Sequence, residues 1–314
     1  MGIMSRLKKF ITERSPNVKE IKFTVSRIKK SPLSIMGITI LVFFIAIALL
    51  APILAPPGHP SQRGDPYRIP KFGIFPAPQP PSEEHPFGTA QWQYDIYYGI
   101  IWGTRTAFRI GFIVVISALA ISLLIGSVAG YYGGIIDELL MRFTDIIIAF
   151  PGLILAMAII AIYGPSLDNI MLALVLVGWP GYARVIRGEI LRVKSEDYVE
   201  AAKSVGCSDL RVIVRHVLPN AIYPIVIMAS LDIGAVVLSA AALSFLGLGP
   251  PPGYADWGQM ISFSRGYIYA NPQDPLKYWF TWVIPGIFIF LFVLGWNLLG
   301  DAFRDIFDPT IRRR

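Results

Sequence analysis

The sequence has few of the residues from which disulfides, metal sites and nucleotide sites are built. Cys207 is the single cysteine in 314 residues, so the chain cannot form an internal disulfide. The three histidines, His59, His85 and His216, lie far apart and show no metal-ligand spacing. No G-x-x-x-x-G-K-S/T phosphate loop occurs, and no Ser/His/Asp or Cys/His arrangement can be recognised. We therefore expect no covalent chemistry and no cofactor on this chain, and any energy input must come from a partner or an ion gradient.

Charged residues are also scarce. They make up 16% of the chain, against about 25% in soluble domains, while 54% of it is hydrophobic and the mean hydropathy is +0.56. A core of this apolar content needs a lipid solvent, so the sequence predicts an all-α integral membrane protein. The net charge of +7 could suggest a nucleic-acid partner, but the charges are distributed as membrane topology requires, and we expect no such partner.

Six apolar stretches are predicted to span the membrane, after a basic N-terminal tail at 1–32. The fourth stretch is the weakest, and Pro151 predicts a kink in the third. Gly126-x-x-x-Gly130 in the second fits either close helix packing or a simple helix end. Together the spans define a transmembrane domain at 33–314. They cover about 33–55, 104–130, 139–163, 167–187, 220–247 and 281–300.

Lysine and arginine positions orient these spans. With the N-terminus inside, the cytoplasmic segments carry 21 Lys and Arg residues and the external segments carry 7. Positive charge favours the cytoplasmic side, so 1–32, 188–219 and 301–314 are predicted to be cytoplasmic, and 56–103 and 248–280 external. Omitting the fourth span would reverse the side of the 188–219 loop and spoil this bias. Both termini are therefore predicted to lie inside the cell, below a cell membrane that the chain crosses several times.

A long charged segment, residues 196–219, separates the fourth and fifth spans. Its pattern predicts a short helix over 198–205, a left-handed turn at Gly206 and a second helix that begins after Ser208. That second helix is predicted to run to about residue 217 and to be closed by Pro219, which should not sit inside it. Two short helices set at an angle by one glycine are typical of an element that docks into a soluble partner.

The spacing within this segment resembles the EAA loop of the permease subunits of ABC importers. The ending from His216 to Asn220 is similar to the branch that carries dipeptides, oligopeptides and nickel. The loop residues that carry the resemblance, and that would contact an ATPase, are Glu200, Ala201, Ala202, Gly206, Leu218 and Pro219. Further matching segments are 130–134, 137–138, Arg142, 150–151, 243–249, 257–258, 297–301, 304–305 and 308–309. His85-Pro86-Phe87-Gly88-Thr89 resembles the second permease of a pair.

The resemblance implies the type I importer permease fold, with six transmembrane helices and a cytoplasmic coupling loop. It implies a homologous permease as heterodimeric partner, two ATPase subunits inside and a solute-binding protein outside. ATP and Mg²⁺ would bind to the ATPases, so this chain is not expected to be an enzyme. Alternating access would follow when closure of the ATPases moves the coupling loops.

The cargo remains open between peptides, oligosaccharides and nickel chelates. Relatives usually carry an Asp where Ala90 stands, and a Gly-Arg-Asp triplet where this chain has Gln93-Tyr94-Asp95. Many relatives also carry an acid near Ser239. These departures fall at the predicted outer face or in the pathway, where substrate and binding protein would be met. They affect the choice of substrate and leave the fold untouched.

Asp232 is an acid within the fifth predicted span. An intramembrane carboxyl often lines an interior path, which makes Asp232 a pathway candidate. The alternative is a structural acid satisfied by a neighbour, with Ser230 and Ser239 as candidate partners. Rival functions for the whole chain are a gradient-driven secondary transporter and a membrane scaffold. Only an importer permease predicts co-purification with a stable ATPase.

Overall fold

The computed structural model describes residues 31–270, 274 and 276–307. Most of the predicted basic tail and the C-terminal arginines lie outside these residues. Within the described part of the chain the regular elements are helices, and strand-like pairing is limited to three isolated bridges. The helices are α1 (Pro32–Leu54), α2 (Ile96–Tyr132), α3 (Gly134–Ile148), α4 (Gly152–Tyr163), α5 (Leu167–Lys194), α6 (Asp197–Ser204), α7 (Asp209–Val212), α8 (Leu218–Ala221), α9 (Tyr223–Phe245), α10 (Trp257–Ala270) and α11 (Phe280–Phe307).

Five of these helices are long and apolar enough to cross a membrane on their own: α1, α2, α5, α9 and α11. The pair α3 and α4 adds a sixth span if the two are counted as one. They meet at an angle of 86°, at a break that contains Pro151. The predicted kink is therefore a sharp break in the chain. The predicted turn before this span is also shorter than expected, because α3 begins at Gly134, directly after Gly133 in its left-handed conformation.

The second span is longer than the sequence indicated. Its helix begins at Ile96 and not near 104, because the carboxylate of Asp95 accepts a hydrogen bond from the Tyr98 backbone N–H at 2.7 Å and caps the first turn. Residues 96–102, predicted as part of the external segment 56–103, are thus helical. A helix of 37 residues is about 55 Å long. It connects the loop at 55–95 directly to the turn that precedes α3.

Close packing of α2 against α5 depends on two small residues. A Cβ on Gly126 would lie 2.7 Å from the Ala183 carbonyl oxygen, and one on Gly130 would lie 2.9 Å from that of Arg187. Of the two interpretations of this glycine pair, close helix packing is therefore correct. Two ion pairs also bind α3 to α5. Asp137 binds Arg187 through two bonds of 2.5 and 2.6 Å, and Asp145 binds Arg184 at 2.5 Å.

Buried hydrophobic side chains form two clusters. The larger one joins α1, the N-terminal half of α2, α4, the first half of α5, α9, α10 and α11 with the loop at 55–95. The smaller one joins the C-terminal half of α2, the second half of α5 and the segment from α6 to the start of α9. Because α2 takes part in both, the two clusters occupy opposite ends of the same long helix.

Candidate functional site

The coupling loop is defined here as residues 196–219, and its two halves meet at Gly206. Helix α6 ends at Ser204, and Gly206 follows with φ +84°. The Gly206 N–H donates to the Lys203 carbonyl at 2.9 Å, and the Cys207 N–H donates to the Ala202 carbonyl at 3.1 Å. This pair of bonds is the Schellman motif, which ends a helix through a left-handed residue. The predicted left-handed turn is therefore present, and glycine is needed there for its φ, since a Cβ would meet nothing within 4 Å.

The second half of the loop differs from the prediction. Ser208 occupies the N-cap position of α7, but its side chain makes no capping hydrogen bond. Helical structure then continues through a π-helical turn at Ile213–Val217 and on through α8, so Pro219 does not end it. The wider π turn lets the Leu218 N–H donate to the Ile213 carbonyl, and Pro219 falls in the first turn of α8, where its missing N–H costs little.

The loop residues named from the sequence do not share one face. Glu200, Ala201, Gly206 and Pro219 are exposed, and Leu218 is half-buried. Ala202 is only 8% exposed and packs within the smaller hydrophobic cluster. The expectation that both alanines face a partner is therefore wrong for Ala202. Helical geometry explains this, because residues three apart share a face and Val199 is also buried here.

Two apolar side chains on the coupling loop escaped the sequence analysis. Val205 is 81% exposed and Leu210 is 72% exposed, one on each side of Gly206. Single exposed apolar side chains are common, so these two are candidates for a partner contact through their place on either side of the glycine turn. Their position beside the glycine turn was the only signal in the sequence that could have identified them.

Tyr131 connects the loop to the transmembrane helices. It is the penultimate residue of α2, and its hydroxyl donates to Asp209 Oδ1 at 2.6 Å. Lys203 Nζ lies 4.8 Å from the centre of its ring, and Lys194 Nζ lies 5.4 Å away on the same ring. Lys194 also donates to the Tyr131 carbonyl. Tyr131 was part of a motif in the sequence, but nothing there indicated that it would meet the loop.

Asp232 lies half-buried in α9, and its surroundings differ from the prediction. Ser230 donates to the Ile227 carbonyl and Ser239 donates to the Ala235 carbonyl, so both serines bond within their own helix. The Asp232 carboxyl instead lies beside the hydroxyl of Tyr182 on α5. That buried hydroxyl forms no hydrogen bond of ordinary geometry within the described residues. Ser230 and Ser239 are therefore wrong as partners, and Asp232 faces a neighbouring helix through Tyr182.

Comparison with known proteins identifies the family of the chain. Residues 122–313 match the model of the binding-protein-dependent transport system inner membrane component. The chain belongs to this permease family. Residues 23–81 of the permease match the N-terminal transmembrane domain of oligopeptide transport permease C. It is therefore a multi-pass inner-membrane permease subunit of an ABC importer, and it is not an enzyme, since such importers hydrolyse ATP in separate subunits.

Several relatives cover most of the permease. A dipeptide transport system permease protein, DppC, of Alkalihalophilus pseudofirmus is 39% identical over 91% of this chain and 88% of its own length. The dipeptide permease DppC of Bacillus subtilis is 32% identical over 91% and 85%. A glutathione transport system permease protein, GsiD, of Pectobacterium atrosepticum is 38% identical over 74% and 75%.

Solved structures support the same fold. The inward-facing methionine ABC transporter MetNI aligns with a TM-score of 0.53 at 18% identity, over 67% of this chain and 97% of that one. An amino acid ABC transporter aligns with a TM-score of 0.50 at 18% identity, over 66% and 93%. The all-helical importer permease fold expected from the sequence is confirmed.

The residues that the sequence analysis compared with relatives, Ala90 and 93–95, lie in the loop between α1 and α2. Gln93 accepts a hydrogen bond from the Thr89 hydroxyl at 2.7 Å and donates to the carbonyls of Phe75 and Ala77. Asp95, besides capping α2, binds His85 at 2.7 Å. These side chains bind the loop to itself, so a structural role accounts for them. Among the described residues, no three His, Cys, Asp or Glu side chains gather as a metal site would require.

A second buried acid, Asp256, was also missed. It precedes α10 and is 4% exposed, and its Oδ1 accepts a hydrogen bond from the Gln259 N–H at 2.7 Å. Burial raises the pKa of Asp256 to about 6, against the opposing effect of this and neighbouring hydrogen bonds. Because it follows a polar Gly-Pro stretch, the sequence suggested only a loop residue.

Proposed function

We propose that the permease pairs with a homologous permease to form a pathway for peptides. Two ATPase subunits would bind its coupling loop and carry ATP and Mg²⁺, and a solute-binding protein would deliver cargo on the other side of the membrane. Dipeptide and glutathione permeases among its relatives support the peptide class. Oligosaccharides and nickel chelates remain alternative cargoes that the same uptake assay distinguishes.

The single observation that carries this proposal is the architecture of the coupling loop. Two short helices meet at a left-handed glycine, and they expose Glu200, Ala201 and the apolar pair Val205 and Leu210. A polar segment that exposes both a charged side chain and apolar side chains is better suited to a cleft in a soluble protein than to lipid or water. Glu200, Ala201, Gly206, Leu218 and Pro219 would act here, with Ala202 supporting them from inside.

Substitution of Gly206 tests the proposal. Gly206→Val forces a β-branched residue into a left-handed conformation, so the angle between α6 and α7 should change while the spans remain inserted. We expect ATPase subunits to dissociate from the purified permease pair and uptake into vesicles to fall at least tenfold. Gly188→Val is the matched control, because Gly188 is exposed, has helical φ and leaves room for a Cβ.

The outcome that would overturn the proposal is equally concrete. If Gly206→Val keeps full ATPase retention and full uptake, the 196–219 segment is not the coupling element. A permease that binds no ATPase even as wild type would favour the secondary transporter or the scaffold instead.

Orientation is tested separately. The charge bias supports a topology with the coupling loop and both termini in the cytoplasm and α10 on the external side. In a Cys207→Ser background, a cysteine at Ser262 should react with impermeant reagents only from outside. Labelling that occurs only from inside would reverse the proposed topology.

A further inference from the structure

One side chain contacts both halves of the coupling loop. Tyr131 is 3% exposed and belongs to α2. Its hydroxyl donates to Asp209, in the first turn of α7, at 2.6 Å, while Lys203, in the last turn of α6, lies over its ring at 4.8 Å. Lys203 precedes Gly206 and Asp209 follows it. Tyr131, which lies outside the coupling loop on α2, therefore contacts residues on both sides of the glycine turn.

The glycine turn alone does not fix the angle between α6 and α7. At Gly206 two backbone hydrogen bonds end α6, but they do not reach α7, and Gly206 has no side chain that could. The angle between α6 and α7 consequently needs contacts from elsewhere. Tyr131 donates a hydrogen bond to a carboxylate and has two lysine ammonium groups over its ring. Both kinds of polar contact depend on direction, whereas the apolar contacts of Val199 and Val212 in the same cluster do not.

The bridge also ends on a long rigid element. Tyr131 directly follows Gly130, which with Gly126 lies in close contact with α5. Lys194, at the end of α5, donates to the Tyr131 carbonyl and shares its ring, so α5 is bound to the same point. A displacement of either half of the loop would therefore pull directly on the ends of α2 and α5.

We propose that Tyr131 is a positioning residue that sets the angle between the two coupling helices and passes their movement to α2. This inference rests on the proposed function, because it assigns a role within the coupling loop. It identifies a residue outside that loop as necessary for coupling, through its hydroxyl and not only through the bulk of its ring.

The hydroxyl is tested by Tyr131→Phe in the complete complex with its binding protein in proteoliposomes. The phenyl ring keeps the buried packing and the contacts with both lysines, and only the bond to Asp209 is lost. We expect assembly and ATP hydrolysis to persist while the amount of solute transported per ATP falls about tenfold. This factor corresponds to the free energy of one hydrogen bond to a charged group. Tyr132→Phe is the matched control, since Tyr132 is adjacent and 52% exposed, and it should leave the ratio unchanged.

A cycle with Asp209 separates positioning from general stability. Asp209→Leu should lower the transport ratio as much as Tyr131→Phe, and the double variant should be no worse than either single variant. Asp209→Asn keeps an acceptor oxygen and should retain most of the ratio. A merely structural role would instead lower melting temperature and yield together and leave solute per ATP unchanged, which would overturn the proposal.

A probe on the single cysteine gives a readout that does not require transport. Cys207 is half-buried between Gly206 and Ser208, so a nitroxide there reports on the turn. With the partner subunits free of cysteine, the label should become more mobile in Tyr131→Phe and stay unchanged in Tyr132→Phe. Equal mobility in both variants, or equal transport ratios, would refute the positioning role. If the wild-type complex itself retains no ATPase, the proposed function fails first, and the two failures are thereby distinguished.

Discussion

The segments packed around the two ends of α2 are held in place by different kinds of contact. Around its N-terminal end, two loop segments bind each other through backbone groups: the Ile69 N–H donates to the Gly253 carbonyl and the Ala255 N–H donates to the Tyr67 carbonyl, both at 2.8 Å. α2 itself meets these loops through side chains, since the Tyr98 hydroxyl donates to the Pro66 carbonyl at 2.8 Å. At its C-terminal end, the coupling loop is held by one tyrosine, by lysines over its ring and by a small apolar cluster.

The difference suggests what each end is built for. Backbone hydrogen bonds between remote segments leave little freedom, and stacked rings such as Tyr67 and Tyr254, 5.6 Å apart, add to the rigidity. A loop held through a few side chains can move as a unit when those contacts change. We infer that the surroundings of the N-terminal end of α2 form a fixed frame, here called the rigid end. The C-terminal end of α2 with the coupling loop, here called the jointed end, is the part that moves.

The largest expected effect breaks the rigid end. A Cβ on Gly258 would lie 2.6 Å from the Ala241 Cα and closer still to its carbonyl oxygen, and backbone cannot yield as a side chain can. Gly258→Val should therefore cost more than about 4 kcal/mol and abolish the purified yield. Gly266→Val, on the same helix at an exposed position with room for a Cβ, is the control and should express normally. Comparable yields of the two variants would contradict the rigid-frame interpretation.

The next effect concerns the jointed end and compares two neighbouring alanines. Ala202→Asp buries an unpaired carboxylate among Val199 and Val212, at a cost of several kcal/mol, and should unfold the loop. Ala201→Asp places the same charge on the exposed side and should weaken ATPase retention without unfolding. Limited proteolysis measures the first effect, and co-purification measures the second. Identical protease sensitivity in both variants would show that the burial of Ala202 does not matter.

A smaller effect concerns the pH dependence of stability at the rigid end. The pKa of Asp256 is raised to about 6 in the folded state, so the folded protein binds this proton more tightly than the unfolded chain. The stabilising contribution of this group is present at low pH and falls as pH rises from about 4 to about 6. Asp256→Asn keeps the acceptor for Gln259, so it should be more stable than wild type at pH 7, by no more than about 3 kcal/mol, and equal to it near pH 4.

Thermal unfolding of the detergent-solubilised permease at pH 4, 5, 6 and 7 measures this difference. Asp274→Asn, which removes a carboxylate at an exposed position, provides the control. A pH-independent gap between Asp256→Asn and wild type would mean that Asp256 does not titrate in this range.

The smallest expected effect lies midway between the two ends. Asp232→Asn should lower uptake about fivefold if the carboxyl lines the pathway, while ATPase retention and melting temperature remain unchanged. Ser239→Ala is the control, because that hydroxyl bonds within its own helix. A loss of stability without a loss of uptake per folded molecule would instead make Asp232 a structural acid that Tyr182 accommodates.

The architecture could be predicted from the sequence because it depends on local chemistry. Long apolar runs can satisfy their backbone only as helices in lipid, and the helices lie where those runs are. Gly206 was predictable for the same reason, since the left-handed end of a helix favours glycine regardless of distant contacts. Each of these features is encoded within a few neighbouring residues.

The contacts between helices could be decided only by the tertiary structure. That Ala202 points inward, that Tyr131 bridges the coupling turn and that Asp232 meets Tyr182 depend on how helices far apart in sequence rotate against each other. Pro219 is tolerated because a π turn precedes it, and that turn arises from packing of the loop against α2 and α5. Local propensity carries no information about such rotations, because the free energy that selects them comes from side chains buried between helices.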